Sequence, residues 1–172
     1  MPDEYMSYMA SNPPRYVASL THEPVLALRE AILSEYGDYT STFGIHCPCG
    51  NRKLRVQGYA HPELPSLAGP IIVACDLCRT ESVVFDPVKH GWSAEQRGFT
   101  PWPGTELRQV ACETCRHHLF EVATGFQYDN DDDEELPSEE AFHRQDYFLC
   151  FFLEATCIKC GTIIEIAGIE CA

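Results

Sequence analysis

The chain has 172 residues, with 26 Asp and Glu against 12 Lys and Arg and a formal net charge of −14. Its 45% apolar content is enough for a packed core, while 12 prolines and 11 glycines favour strands and turns over a helical bundle. The acidic balance argues against unaided binding to nucleic acid or an anionic membrane, and no apolar run of about 18 residues exists to span a bilayer.

Residues 1–20 carry Pro13-Pro14 and scattered aromatics and read as an extended segment. No basic region followed by an apolar stretch opens the chain, so no secretory signal is expected. The expected compartment is the cytosol, where thiols stay reduced and cysteines serve as metal ligands more often than as disulfides. Residues 21–37 hold the one expected helix. Thr21 can cap it, Pro24 suits its first turn and Gly37 can end it. Val25, Leu28, Ile32 and Tyr36, joined by Leu26 and Leu33, make an apolar stripe that would dock on the rest of the molecule. Strands are expected near 52–59, 70–74, 81–86, 118–123, 147–156 and 162–167. Residues 88–109, with Trp92, Phe99 and Trp102 among glycines and prolines, read as a linker.

Eight of the ten cysteines form four close pairs: Cys47 and Cys49, Cys75 and Cys78, Cys112 and Cys115, Cys157 and Cys160. A C-x2-C pair in a tight turn aims two sulfurs at one point, and two such turns make a tetrahedral four-sulfur site. Four pairs therefore predict two structural metal ions, with zinc favoured and tetrathiolate iron as the alternative. Internal similarity predicts which pairs share an ion. VACDLCRTESVVFD at 73–86 aligns with ATCIKCGTIIEIAG at 155–168, with Thr80 falling on Thr162. CPCGNRKLRV and CETCRHHLFEV open the two units upstream. Cys47 and Cys49 are thus paired with Cys75 and Cys78, and Cys112 and Cys115 with Cys157 and Cys160. The first knuckle is tighter, and His46 could replace Cys47 as its ligand. Cys150, within Tyr-Phe-Leu-Cys-Phe-Phe-Leu, reads as a small buried hydrophobe. Cys171 reads as frayed.

On these cysteine pairs the chain resembles the zinc-ribbon class, and more loosely the double zinc ribbons, over roughly residues 46–168. The resemblance implies structural Zn2+ (two ions) and a β-hairpin scaffold, and no single function. The expected fold class is mainly β, a small α+β chain of two tandem four-cysteine zinc ribbons with one N-terminal helix. Ribbon 1 spans 44–87, ribbon 2 spans 110–168, and ribbon 2 carries an acidic insertion at 127–146. CPCG also opens the SEC-C zinc motif, where both cysteines bind metal, but that motif's second half is absent here.

His61 and Glu63 ahead of Cys75 and Cys78 are similar to the zinc deaminases, where a His and two Cys hold zinc and a Glu shuttles protons. The segment between them contains Pro65, Gly69 and Pro70 and is too short for the helix and strand that family needs. His61 and Glu63 are expected in an exposed loop. There is no phosphate loop, G-x-S-x-G or H-E-x-x-H, and His117 and His118 have no assigned task. The chain is read as a non-enzyme.

The strongest charge feature is Asp129, Asp131, Asp132, Asp133, Glu134, Glu135, Glu139, Glu140 and Asp146, opposed by Arg144 alone. A field of that sign speeds association with a basic protein and repels nucleic acid. The expected function is a protein-binding module that docks its acidic residues, Asp129 to Glu135 foremost, on a basic partner. An inhibitor or immunity protein against a toxin or nuclease is one concrete version. The alternative is a nucleic-acid-associated ribbon using Arg52, Lys53 and Arg55.

Overall fold

The computed structural model describes residues 2–22, 40–60, 66–90, 106–128 and 141–171. Among the described residues one α-helix, α1 (Pro2–Ser11), precedes nine strands: β1 (Thr21–His22), β2 (Thr40–Ile45), β3 (Leu54–Ala60), β4 (Leu67–Cys75), β5 (Glu81–Phe85), β6 (Leu107–Gln109), β7 (Phe120–Gln127), β8 (Cys150–Cys157) and β9 (Ile163–Glu170). All nine join one curled antiparallel sheet in the order β1-β2-β7-β3-β4-β5. β6 pairs with β3, and β8 lies between β7 and β9. The mainly β expectation holds. No helix among the described residues is long and apolar enough to cross a membrane.

Side-chain alternation explains the curl. Leu54 and Val56 of β3, and Ile71, Val73 and Cys75 of β4, are buried while the residues between them are half-buried, so this wing has one inner face. β7 is buried almost throughout, as befits the central strand. The wing folds back until Phe85 of β5 stacks on Phe151 of β8, ring centroids 4.2 Å apart, with Phe126 edge-on to Phe148 at 4.9 Å. Stacked and edge-on pairs of this kind suit the aromatic quadrupole.

The sheet also has an internal two-fold. Leu54 and Phe120 open equivalent strands and pair directly with each other, antiparallel. Gly44 of β2 pairs with Ala123 of β7, and Gln109 of β6 pairs with Gln57 of β3, at equivalent positions of the two units. Thus β2 leads to the first knuckle but lies against the second unit, and β6 leads to the third knuckle but lies against the first. Leu54 faces Cys75 on its other side, and Phe120 faces Cys157. Cys75, Leu54, Phe120 and Cys157 are therefore consecutive across four strands, a span of about 14 Å at ordinary strand spacing.

Several expectations change. Residues 2–11 are helical, although 1–20 read as extended. Pro2 fits a first helical position, and Glu4, Met6, Met9 and Ala10 are good helix formers, so Pro13-Pro14 ends a helix rather than precluding one. Met9 is fully buried. Thr21 does not begin a helix: it pairs with Ile45 in β1, and its hydroxyl donates to Ala18 O at 2.9 Å. His22 lies over Gly44, its register partner, where a Cβ would collide with the imidazole. Most of the expected helix, residues 23–37, lies outside the described residues, as do Trp92, Phe99 and Trp102. The linker ends in a strand, since β6 finds the edge of β3. Cys171 is buried rather than frayed, because β9 runs to Glu170 and the Cys171 amide donates to Leu149 O at 2.6 Å. Cys150 is only half-buried, at the start of β8.

Candidate metal centres

Four turns carry the eight clustered cysteines. Cys47 and Cys49 lie in the turn from β2 to β3, Cys75 ends β4, and Cys78 lies in the following turn. Cys112 and Cys115 precede β7, Cys157 ends β8, and Cys160 lies in the turn to β9. Within each group of four, every sulfur lies within 4.8 Å of the others. The Cys47–Cys78 and Cys49–Cys75 sulfurs are 3.3 and 3.6 Å apart, and the Cys112–Cys160 and Cys115–Cys157 sulfurs are both at 3.5 Å. A tetrahedral ion with metal–sulfur bonds of about 2.3 Å has edges of about 3.8 Å, so both groups fit one ion with little movement.

The backbone closes each turn in the same way. The Cys47 amide donates to Asn51 O at 2.9 Å and the Cys112 amide to His117 O at 2.8 Å. The Cys75 and Cys157 amides donate to Thr80 O and Thr162 O, both at 2.9 Å. Each turn leaves through a left-handed residue: Gly50 (φ 85°), Arg79 (φ 65°), Arg116 (φ 61°) and Gly161 (φ 74°). One cysteine of each pair, Cys47, Cys75, Cys112 and Cys157, is buried in the apolar core. Of their partners, Cys49, Cys78 and Cys160 are exposed and Cys115 is half-buried.

Four thiols this close cannot all ionise without a cation among them. Burial pushes the Cys47 thiol up to about 12, against the pull of a backbone hydrogen bond from Cys49. At Cys115 the His117 amide pulls downward, but burial and three neighbouring sulfurs carry it to about 12. Burial also opposes ionisation of Cys75, yet hydrogen bonds from the Cys78 and Leu77 amides and from Asn51 bring it down to about 6. Cys160 is lowered to about 6 first by the Thr162 hydroxyl and then by its amide, and Cys78 is lowered by Thr80 in the same two ways. The donors therefore sit where they stabilise thiolate, as groups around a metal ligand do.

His46 is not in the first group. Its Nδ1 lies 2.7 Å from Cys47 O and its Nε2 lies 3.2 Å from Thr21 O, while Cys47 Sγ joins the other three sulfurs. Arg55 is held by Asp76 at 2.8 Å, whereas Arg52 and Lys53 are exposed. His118 Nδ1 lies 3.0 Å from Val110 O, and His117 is half-buried. Asp129, Asp131, Asp132, Asp133, Glu134 and Glu135 lie outside the described residues, as do His61 and Glu63.

Sequence reasoning missed the polar residues that serve the sulfurs. Asn51 Nδ2 lies 3.3 Å from Cys75 Sγ, Thr80 Oγ1 lies 3.3 Å from Cys78 Sγ, and Thr162 Oγ1 lies 3.2 Å from Cys160 Sγ. Thr114 Oγ1 extends the last contact, 3.1 Å from Thr162 Oγ1. The alignment of Thr80 with Thr162 was the available signal. A four-sulfur site filled by one ion has no open position for water or substrate. Among the described residues these are the two groups of three or more His, Cys, Asp or Glu placed to hold a metal ion. The chain matches no protein-family model, no curated protein and no solved structure.

Proposed function

We propose that the chain is a non-enzymatic, zinc-stabilised module that binds a basic protein through an acidic surface. Zinc would be held by Cys47, Cys49, Cys75 and Cys78, and by Cys112, Cys115, Cys157 and Cys160. It would supply rigid tetrahedral cross-links. Each four-thiolate zinc site carries a net −2, so two sites take the chain from −14 to about −18.

The placement of carboxylates on β7, β8 and β9 carries this reading. Glu121, Glu165 and Glu170 are exposed and fall on one face of these strands, with the half-buried Glu154 directly opposite Glu165. Carboxylates in such register repel one another, and a basic partner would relieve that repulsion. In the sequence the acidic run from Asp129 lies between β7 and β8, so its charge belongs to the same unit. An inhibitor or immunity protein against a basic toxin or nuclease is the concrete form.

Affinity capture at physiological salt tests it, comparing the native chain with a variant carrying Asn at 129, 131, 132 and 133 and Gln at 134 and 135. Recovery of a basic protein by the native chain and loss by the variant is the expected result. Equal capture by both, or no basic protein recovered, overturns it. Elemental analysis should find two zinc ions per chain, and visible absorbance would instead identify iron.

The second reading is nucleic-acid association at the knuckles. Arg52, Lys53, Arg79, Arg116 and Lys159 are all exposed beside the sulfur groups. A salt-dependent gel shift with single-stranded and duplex DNA and RNA decides it, and binding at physiological salt would reverse the ranking.

A further inference from the structure

We infer that the two metal centres are energetically coupled, so that the ions load and leave as a pair. The inference rests on the reading of both sulfur groups as metal sites. It goes beyond that reading, because two sites in one chain can equally be independent.

The coupling follows from the reciprocal pairing of strands. The first knuckle is delivered by β2, whose six residues pair with Gln127 to Val122 of β7 in the second unit. The third knuckle is delivered by β6, which pairs with β3 in the first unit, and Val110 continues that contact by donating its amide to Val56 O at 2.8 Å. An ion at Cys47, Cys49, Cys75 and Cys78 fixes the end of β2 and thereby one flank of β7. β7 begins at Phe120, five residues after Cys115 closes the third knuckle, and pairs through Phe120 with Cys157, a ligand of the other group. The same chain of constraints runs in reverse through β6 and β3 to Cys75.

The side chains at the two-fold strengthen the link. Leu54 and Phe120 are both fully buried and meet at the axis, and each directly opposes a cysteine of its own unit. The inner cysteines of both groups, Cys47, Cys75, Cys112 and Cys157, belong to one continuous apolar cluster with them. Ordering either group therefore orders part of the framework of the other. Two sites that bias one shared element are coupled, and the effect is reciprocal.

Native mass spectrometry of the metal-free full chain during zinc titration tests this, with the distribution of zero-, one- and two-ion molecules as the readout. Equal, independent sites place about half of the molecules in the one-ion state at the midpoint, whereas tenfold coupling lowers that share to about a quarter. A quarter or less is the expected result, and half or more overturns the inference. The double variant Cys49→Ser with Cys78→Ser gives a second measurement. Zinc affinity at the intact group should fall at least about tenfold, and the Cys115→Ser, Cys160→Ser variant should weaken the first group equally. Native affinity at the remaining group in either variant overturns the coupling while leaving the metal sites standing. If the native chain takes up no zinc at all, the reading of the sulfur groups fails with it.

Discussion

The two four-cysteine units solve one geometric problem with different residues. Cys75 and Cys157, Thr80 and Thr162, and Leu54 and Phe120 occupy matching positions in matching registers. Yet the first unit opens with C-x-C and uses Asn51 to donate to a sulfur, while the second opens with C-x2-C and extends its threonine contact through Thr114. The surroundings diverge further. β2 is buried over all six residues, whereas its equivalent β6 is exposed over three. The shared part is what four sulfurs demand of a backbone. The different part is what each unit does for the rest of the molecule: the first supplies a covering wing, the second the central strand and the acidic excursion.

The largest effect should come from removing the ions or a buried ligand. Cys75→Ser and Cys157→Ser should each cost more than about 4 kcal/mol, since on the proposed zinc reading metal affinity is folding free energy. Circular dichroism during thermal unfolding checks this, and a strong chelator should reproduce the loss in the native chain. Lowering the pH should act in the same direction, because protonated sulfur does not bind metal. If one serine variant unfolded and the other melted like the native chain, the two units would not be equivalent supports.

Next in size is the aromatic contact between the units. Phe85 and Phe151 are both fully buried and stacked. Phe85→Ala and Phe151→Ala should each cost about 3–5 kcal/mol. Their effects should also couple by about 0.5–1.5 kcal/mol in a double-mutant cycle, since each ring is the other's partner. Strict additivity in denaturant unfolding would mean that the wings do not rely on each other at this point.

How much of this was legible in the sequence depends on whether the signal is local. The cysteine pairing could be read because a knuckle is a few residues long and its repeat aligns. Strands β3, β4, β5, β7, β8 and β9 were legible from β-branched and aromatic runs flanking those knuckles. β2 was not, because Thr40-Ser41-Thr42 reads as polar while burial on both faces is imposed by its neighbours. β1 and β6 are two and three residues long and exist as strands because a partner edge is present. The reciprocal exchange was invisible for the same reason: pairing across 66 residues, as between Leu54 and Phe120, leaves no local trace. Asn51 carries no sequence signal because an amide beside a cysteine has no spacing rule, while His46 has the spacing of an alternative ligand to Cys47 but sets both ring nitrogens against carbonyl oxygens.

Asn51 offers a test that should separate the units. It donates to Cys75 Sγ and to Lys53 O, and its Oδ1 accepts the Lys53 amide at 3.2 Å. Asn51→Ala should therefore cost about 1–2 kcal/mol and speed the first loss of metal to a chelator about tenfold. His117→Ala, at the equivalent position, should change either quantity little. Equal effects at both positions would show that the turn backbone, rather than the side-chain donor, sets the thiolate's stability.

The smallest effects concern the left-handed residues that end the knuckles, where the units use glycine and arginine in opposite order. Gly50 and Gly161 have open space where a Cβ would stand, so alanine there meets only the backbone penalty. That penalty is about 1–2 kcal/mol for an L-residue, offset in part by about 0.4–1 kcal/mol from a stiffer unfolded chain. Gly50→Ala and Gly161→Ala should each destabilise by about 1 kcal/mol net. Arg79→Gly and Arg116→Gly reverse both terms and should stabilise by about 1 kcal/mol, with Arg79→Gly gaining less because Arg79 lies 3.9 Å from Asp76. Precise melting curves on the four single variants resolve these differences. If the glycine variants were neutral, the knuckles would not require a left-handed exit, and the likeness between the two units would rest on their sulfurs alone.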